Sequence, residues 1–585
     1  MIRCLALLLL TSLVWMPTAH AADPIEIRIE GVKEPLLENV LALLSLKRNA
    51  RSKELDEELV GRLTQRASGE VGTALRPYGY YEPVVDTELT RNGDGWLVIV
   101  RIDPGPPVML VEQQIEITGS GRDEPLLRQA LARSPLKTGQ RLSHVDYDQL
   151  KGDLLRTAAG NGYLDAEFIH SELLVDPAAH EARARITFET GERYRFGPTI
   201  IEQDFLRAEL VERYLRYREG DWYDAGALLR TQFALDDSQY FAVVEVLPEE
   251  RDRVHRIAPI RISSGPNKRD RYTVAVGYAT DTLARGKLGW ENRRVNRSGH
   301  RLRAEILGSS IEESVELTYA IPWTDPALEK LSFGMRGFRE QRADVKTTGG
   351  TFTVALAQVQ GNWQRVLSVT ADATRDEIAT TTGTTTEATR LYSQLLVPGI
   401  SYSLLPPGFL GVNAVPHGFQ AELIGSTSAL GSDTNFTRLL IRDERRFSLD
   451  GRWHLQLRAE LGASVVGDFQ ELPAQYRFFA GGDRSVRGYA YEELSPVDAD
   501  GNHIGGRHLM TGSIELQRYL PHNFVAALFV DGGNAVNNFG DRLEYSAGVG
   551  LRYRLPFLSI GIDVAQSISE PGRGPRLHLN FTPEL

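Results

Sequence analysis

The stretch FFAGGDRSVRGYAYEE, from Phe478 to Glu493, places a glycine pair, two arginines and an aspartate among aromatic residues. Gly481 and Gly482 indicate a turn or loop, because adjacent glycines favour irregular backbone. The segments around this stretch alternate apolar and polar residues, as membrane strands do. A charged loop among such strands needs partners of opposite charge. The interpretation of the stretch therefore depends on the chain around it.

The chain after Arg271 shows a period of two and no helical period. In HLQLRAELGA, residues 454–463, leucines and alanine form one face and polar residues form the other. The segments YSAGVGLRYRL (545–555), LSIGIDVA (558–565) and RLHLNFTPEL (576–585) follow the same pattern. A soluble sandwich would also alternate. The long series of such segments and a last strand at the C-terminus favour a transmembrane barrel.

Residues 267–585 are long enough for about sixteen antiparallel strands, at roughly 20 residues per strand and connection. The polar stretch ATTTGTTTEAT, from Ala379 to Thr389, is predicted to be a surface loop between two of them. No segment after the N-terminus has 18 consecutive apolar residues. A membrane-spanning part of this chain is therefore expected to be a barrel and not a helix bundle.

The N-terminus has the features of a secretory signal peptide, assigned to residues 1–21. Arg3 supplies a positive charge, an apolar run from Leu5 to Trp15 follows, and Ala19-His20-Ala21 is a small-x-small cleavage site. An N-terminal membrane anchor is the alternative, but the apolar run is shorter than the roughly 20 residues that span a bilayer. The one cysteine, Cys4, lies in this segment. We therefore expect an exported protein without disulfides.

The front half repeats a unit of strand, two helices and two strands three times. The units are assigned to residues 22–107, 108–193 and 194–266. At the junction of helix and strand the three units carry Gly79-Tyr80, Gly162-Tyr163 and Gln239-Tyr240. We interpret these pairs as architecture, a residue that ends the helix followed by a tyrosine in the core. The β-α-α-β-β order resembles that of POTRA domains, which implies periplasmic modules that bind client chains at an exposed sheet edge.

POTRA-like units before a barrel resemble the outer-membrane assembly superfamily of BamA, TamA and the two-partner secretion transporters. The most specific match is Val486-Arg487-Gly488-Tyr489, because that family has a V-R-G-Y/F loop folded into the barrel lumen. The segment from Gly277 to Leu302 also resembles the family's first hairpin. The resemblance implies that Arg487 pairs with Asp531 and Glu515 on the inner wall. The alternative is an ordinary loop with a solvated arginine.

Three amino-terminal units are typical of the TamA type, since BamA-like members carry five and two-partner transporters carry two. The resemblance implies insertion of autotransporters and other barrels into the outer membrane, with the POTRA units in the periplasm. It also implies a TamB-like partner anchored in the inner membrane and links this class to phospholipid transport. Client strands would add at a lateral seam formed by Tyr272, Val274, Val276, Leu577, Leu579 and Phe581.

Several other classes of protein are disfavoured by the sequence. The motifs G-x-S-x-G, H-E-x-x-H, C-x-x-C and the P-loop are missing, and the histidines are scattered, so we expect no enzyme, metal or cofactor. The net charge of −11 argues against a nucleic-acid partner. A passive porin would not explain the three modules. A secretion pore for one dedicated exoprotein and a BamA-like general assembly factor stay open.

Overall fold

The protein is described from a computed structural model that covers residues 25–50, 52, 55–93, 95–382, 385–405, 417–555 and 558–583. The predicted signal peptide, residues 1–21, lies outside the described residues. The described chain divides into two compact units. The first unit is built from residues up to 196 together with 220–225 and 251–258. The second contains residues 197–219, 226–250 and 259 onward, so it includes most of the third module and the barrel.

The first module has a three-stranded sheet with three helices. Its elements are β1 (Ile25–Glu30), α1 (Leu36–Leu43), α2 (Ser45–Asn49), α3 (Glu57–Leu75), β2 (Val84–Asn92) and β3 (Gly95–Asp103). Strand β3 lies between β1, which is parallel to it, and the antiparallel β2. The Asp56 carboxylate caps α3 by accepting from the Leu59 N–H. Apolar residues at helical spacing, such as Val60 and Ala67, bury one face of α3 against the sheet.

The second and third modules repeat this design. The second consists of β4 (Met109–Thr118), α4 (Pro125–Ala132), α5 (His144–Gly160), β5 (Glu167–Asp176) and β6 (Glu181–Glu189). The third consists of β7 (Arg195–Glu202), α6 (Ala208–Glu212), α7 (Ala225–Asp237), β8 (Phe241–Pro248) and β9 (Ile257–Pro266). The sheet orders are β4-β6-β5 and β7-β9-β8, the same as in the first module. The predicted β-α-α-β-β order is confirmed, with one additional short helix, α2, in the first module.

The glycine–tyrosine pairs lie where a helix ends and the next strand approaches. Gly79 and Gly162 have φ of +83° and +92°, a conformation that ends a helix with little strain only for glycine. The third unit uses Gln239 at φ +57° in the same place. Tyr163 and Tyr240 are buried in their modules. The backbone and burial are those of architectural residues.

The barrel follows the third module. Its strands are β10 (Asp270–Ala279), β11 (Leu283–Asn292), β12 (Arg301–Gly308), β13 (Glu312–Pro322), β14 (Glu329–Arg342), β15 (Val345–Gln360), β16 (Trp363–Thr382), β17 (Thr385–Leu404), β18 (His417–Ser426), β19 (Phe436–Ser448), β20 (Trp453–Val466), β21 (His508–Tyr519), β22 (Phe524–Val536), β23 (Glu544–Arg554), β24 (Leu558–Ser567) and β25 (Arg576–Pro583). Each strand pairs antiparallel with the next, and β25 returns to β10. Within the described residues the barrel has 16 strands, as predicted.

The prediction of a surface loop at Ala379–Thr389 is wrong. Its described residues, 379–382 and 385–389, belong to strands β16 and β17, whose pairing continues to Thr382 opposite Thr385. Threonine is β-branched and suits a strand, so a threonine-rich sequence can extend a hairpin well beyond the barrel's apolar band.

The barrel has an apolar outer surface and a polar interior. Leu461, Val549 and Ile562 lie on outward faces and are 53%, 54% and 45% exposed. The inward faces of several strands enclose a cavity of about 1110 Å³, lined by charged side chains such as Arg458 and Glu460. This division fits a barrel that spans a bilayer around a wet lumen. Among the described helices, none combines the length and apolar character that a membrane crossing requires.

Candidate functional site

Residues 467–507, which connect β20 to β21 and are called the lumen loop here, fold against the inner wall of the barrel. Three backbone bridges, Phe478–Gly506, Ala480–Leu494 and Val497–His503, hold the loop together. Its apolar side chains form a small core with the wall strands. The members of this core are Leu440, Phe478, Ala480, Val486, Tyr489, Leu494, Leu509 and Ala535. The loop is therefore a packed part of the barrel.

Arg487 is the charged centre of the lumen loop, with a side chain only 4% exposed. Its Nε and Nη2 donate to Asp531 Oδ2 and Oδ1 at 2.7 and 3.0 Å, a bidentate pair. Its Nη1 donates to Glu515 Oε2 at 2.8 Å and to Asp563 Oδ2 at 3.1 Å. Ser513 Oγ accepts from Nη2 at 3.3 Å. All three guanidinium nitrogens of Arg487 thus have acceptors on strands β21, β22 and β24.

The surroundings of Arg487 compensate a charge that would otherwise be costly to bury. A second arginine, Arg552 on β23, donates to both Glu515 and Asp563. Two guanidiniums therefore face three carboxylates. The guanidinium carbon of Arg487 also lies 3.3 Å from the centre of the Phe529 ring, a cation–π contact. This network, called the wall clamp here, fastens the tip of the lumen loop to four adjacent strands.

The residues after Arg487 fit the wall closely. Gly488 has φ +95°, and a Cβ at this position would lie 3.2 Å from Ser546 Cβ. Only glycine combines that backbone with that approach at low cost. The Tyr489 hydroxyl lies 2.7 Å from Ser567 Oγ and donates to Glu544 Oε2 at 3.1 Å. Tyr489 is fully buried and so satisfies its polar atom on the wall.

The structure brings together the six residues that the sequence placed in this site: Val486, Arg487, Gly488, Tyr489, Glu515 and Asp531. Sequence reasoning missed Ser513, Arg552, Asp563, Asp483 and His578. Arg552 and Asp563 carried a signal, because both fall on the polar face of alternating segments. That signal says that they point into the lumen but does not say which inward residues meet.

The first and last strands form the weakest joint of the barrel. Strand β10 pairs with β11 along all ten of its residues, but with β25 only at Tyr278–Phe581 and Ala279–Asn580. One further contact extends this joint, because the Thr280 N–H donates to Leu579 O at 3.0 Å and Thr280 Oγ1 accepts from the Leu579 N–H at 2.9 Å. This joint is called the seam.

Most of β10 has a free edge at the seam. Thr280 directs its N–H towards β25, and backbone groups point to the same side at every second residue of a strand. Tyr272, Val274 and Val276 therefore point their N–H and C=O groups towards the seam. Within the described residues no strand pairs with them on that side. Their side chains are 76%, 70% and 75% exposed.

The six predicted seam residues fall into two groups. Leu577, Leu579 and Phe581 lie on β25 and pair with β24. Among them, Phe581 is the residue paired with β10, with its ring centre 6.2 Å from that of Tyr278. Tyr272, Val274 and Val276 are not brought against β25 and remain on the free edge. The seam is thus shorter than the sequence suggested.

A bilayer-spanning antiparallel barrel with POTRA-like modules at its amino-terminal side and a loop fastened inside its lumen defines a class of outer-membrane protein. Residues 296–582 match the model of the Omp85 superfamily domain, and residues 26–104 match that of the first POTRA domain of TamA. The chain belongs to the Omp85 superfamily of POTRA–barrel proteins, and its place is the outer membrane.

Relatives support this assignment. The chain is 21% identical over 561 residues to the outer membrane protein assembly factor BamA of Nitratidesulfovibrio vulgaris, covering 91% of this chain and 69% of that protein. The crystal structure of BamA from Haemophilus ducreyi lacking POTRA domains 1–3 superposes with a TM-score of 0.67 at 17% identity, over 81% of this chain and 99% of that one. This superposition shows that the two proteins share the same fold. CdiB from Acinetobacter baumannii superposes with a TM-score of 0.44 at 14% identity, over 91% of this chain and 99% of that one, too low to add to it.

Proposed function

We propose that this protein is the outer-membrane subunit of a translocation and assembly module, which inserts autotransporters and other β-barrel proteins into the outer membrane. Its clients would arrive unfolded in the periplasm, where the POTRA units would receive them. A TamB-like protein anchored in the inner membrane would be its partner. The match of residues 26–104 to a TamA-type first POTRA domain supports the TamA type over the BamA type.

The observation that carries the proposal is the free edge of β10. Unpaired N–H and C=O groups are costly in hydrocarbon, so an edge at membrane depth favours any strand that can pair with it. An extended client segment could add there by backbone hydrogen bonds, largely independent of its sequence. The two residue pairs that join β10 to β25 would have to separate for the client to pass between these strands.

The same edge suits the proposed absence of covalent chemistry. Strand addition exchanges one set of hydrogen bonds for another and needs no nucleophile, metal or cofactor. The wall clamp would keep β21 to β24 in place while the seam opens, because it crosses those strands and not the seam. Phospholipids are a second cargo that could pass through the same lateral opening.

The test of this proposal is reconstitution of the full-length chain in liposomes with an unfolded autotransporter barrel. Folding of the client is followed by its gel mobility before and after heating. We expect insertion to be faster than in liposomes without the protein. Equal rates would contradict the insertion activity, and a phospholipid-transfer assay on the same liposomes would then test the second cargo.

Affinity capture with the full-length chain from the envelope distinguishes the types within the superfamily. Capture of a long, β-rich, inner-membrane-anchored protein is expected for the TamA type. Capture of small outer-membrane lipoproteins instead would favour a general assembly factor, in line with the similarity to BamA. Capture of one large secreted protein alone would indicate a dedicated secretion pore and contradict the proposal.

A further inference from the structure

Three side chains from separate parts of the second unit meet beside the seam. Asp281 lies in the turn between β10 and β11, Asp483 lies in the lumen loop, and His578 lies on β25. One acceptor or donor atom from each falls within 4.8 Å of the others. His578 is 2% exposed and Asp483 12% exposed. The first hairpin, the last strand and the loop are thus joined at one buried point.

The hydrogen bonds at this point run through Asp483. Its backbone N–H donates to Asp281 Oδ2 at 2.6 Å. His578 Nε2 accepts from the Gly488 N–H at 3.0 Å, and a backbone N–H can only donate. The proton of the neutral imidazole is therefore on Nδ1, which donates to Asp483 Oδ1. Asp483 holds both sides of the seam at once, one through its backbone and the other through its carboxylate.

Gly482 makes this contact possible. It has φ +99°, and a Cβ at this position would lie 2.5 Å from Asp281 Oδ2. A side chain here would displace either the Asp281 carboxylate or the loop from this contact. The glycine pair in the sequence is therefore explained, at its second position, by the approach of the loop to Asp281.

The contact is only partly satisfied. Asp281 Oδ1 and Asp483 Oδ2 are buried without a hydrogen-bond partner. Buried polar atoms without partners weaken the arrangement that holds them. Both ring nitrogens of His578 are already engaged, which favours a hydrogen-bonded contact over a shared cation. The loop is thus held on β21–β24 by four hydrogen bonds from the Arg487 guanidinium to carboxylates, and at the seam by the contacts of Asp483 and His578.

We propose that Asp483, with Asp281 and His578, is a clasp that holds the seam closed and ties its opening to the lumen loop. Asp483 is a positioning residue, since it acts by holding the first hairpin and β25 together. The inference rests on the proposed function in one respect, that the seam opens during the activity. In this arrangement release of the loop near Asp483 loosens the seam, while Arg487 keeps the loop tip on the wall.

The test measures seam closure without any client. Tyr278→Cys and Phe581→Cys are introduced as a reporter pair, in a chain whose natural cysteine is Cys4 of the predicted signal peptide. The rate of disulfide formation is measured in liposomes. Adding Asp483→Ala should slow it about fivefold, the effect of losing one ordinary hydrogen bond. Asp500→Ala, at an exposed position of the same loop, is the matched control and should leave the rate unchanged.

Gly482→Ala and Asp281→Ala test the other link and should slow the same reaction. If Asp483→Ala does not fold, as judged by heat-dependent gel mobility, these two variants decide the matter. A disulfide rate equal to that of Asp500→Ala in folded variants would overturn the clasp. Because no client is present, this result is independent of the insertion assay. A working clasp with no insertion activity would contradict only the proposed function.

Discussion

The seam and the wall opposite it are built from the same kind of strand but differ greatly in pairing. Strands β16 and β17 pair along all 20 residues of each, whereas β10 and β25 pair at two positions. The wall next to the seam is further fixed by the clamp at Arg487. A closed hydrogen-bonded wall removes edges from the bilayer. This barrel therefore keeps one strand edge, on β10, without a partner over most of its length, while the wall clamp stiffens the nearby strands β21 to β24.

The largest expected effect comes from breaking the wall clamp. Arg487→Ala leaves Glu515 and Asp563 with the guanidinium of Arg552, and removes from Asp531 its bidentate partner. We expect the free energy of unfolding to fall by about 3–5 kcal/mol, the usual cost of removing one partner of a buried ion pair. Urea unfolding in detergent, followed by tryptophan fluorescence, measures this loss.

Arg484→Ala is the matched control for that variant, because Arg484 is exposed in the same loop. Its stability should equal that of the parent. Parent-like stability of Arg487→Ala together with parent-like client insertion would contradict the clamp. Normal stability with lost client insertion would instead show that the arginine pairing is broken and remade during each cycle.

A smaller effect is expected from Gly488→Ala. The alanine would have to adopt φ +95°, and its Cβ would crowd Ser546 Cβ. Strain of this kind costs about 1–3 kcal/mol. Gly501→Ala is the control, since Gly501 has φ +84° with open space around its Cβ position. The stability difference between the two variants measures the contact with the wall, and equal losses would show that the backbone strain alone matters.

The role of the free edge of β10 in client insertion is tested at Val274. Val274→Pro removes an N–H from the free edge without removing a bond to β11, and proline is tolerated on such edges. We expect client insertion to slow about five- to tenfold, which corresponds to one hydrogen bond of roughly 1–1.4 kcal/mol. Val274→Ala keeps the N–H and should insert clients at the parent rate. Equal rates for both variants would exclude strand addition at this position.

The mildest test leaves the sequence unchanged. Amide hydrogen exchange in lipid nanodiscs should be faster at Tyr272, Val274 and Val276 than at residues 364–372 of β16. The first group lacks partners on the seam side, while β16 is paired on both sides. Uniform protection around the barrel would mean that the free edge is covered in the membrane.

Sequence patterns predicted much of this molecule because they are local. Alternation placed Leu461 outside and Arg458 inside, and the V-R-G-Y signature indicated the partners of Arg487. The contacts of Asp483 with Asp281 and His578 depend on how the ends of the barrel meet, across 202 and 95 residues of chain. The length of the seam also depends on the register of β10 against β25. Neither leaves a periodic trace in the sequence.

The most direct test of the account is to lock the seam in the full-length chain. With Tyr278→Cys and Phe581→Cys in liposomes, insertion of an unfolded autotransporter barrel is compared before and after reduction. A Leu367→Cys and Ile400→Cys pair, across the fully paired β16 and β17, is the control. We predict that the oxidised seam blocks insertion, that reduction restores it, and that the control lock has no effect. Equal insertion through the oxidised and the reduced seam would contradict the account.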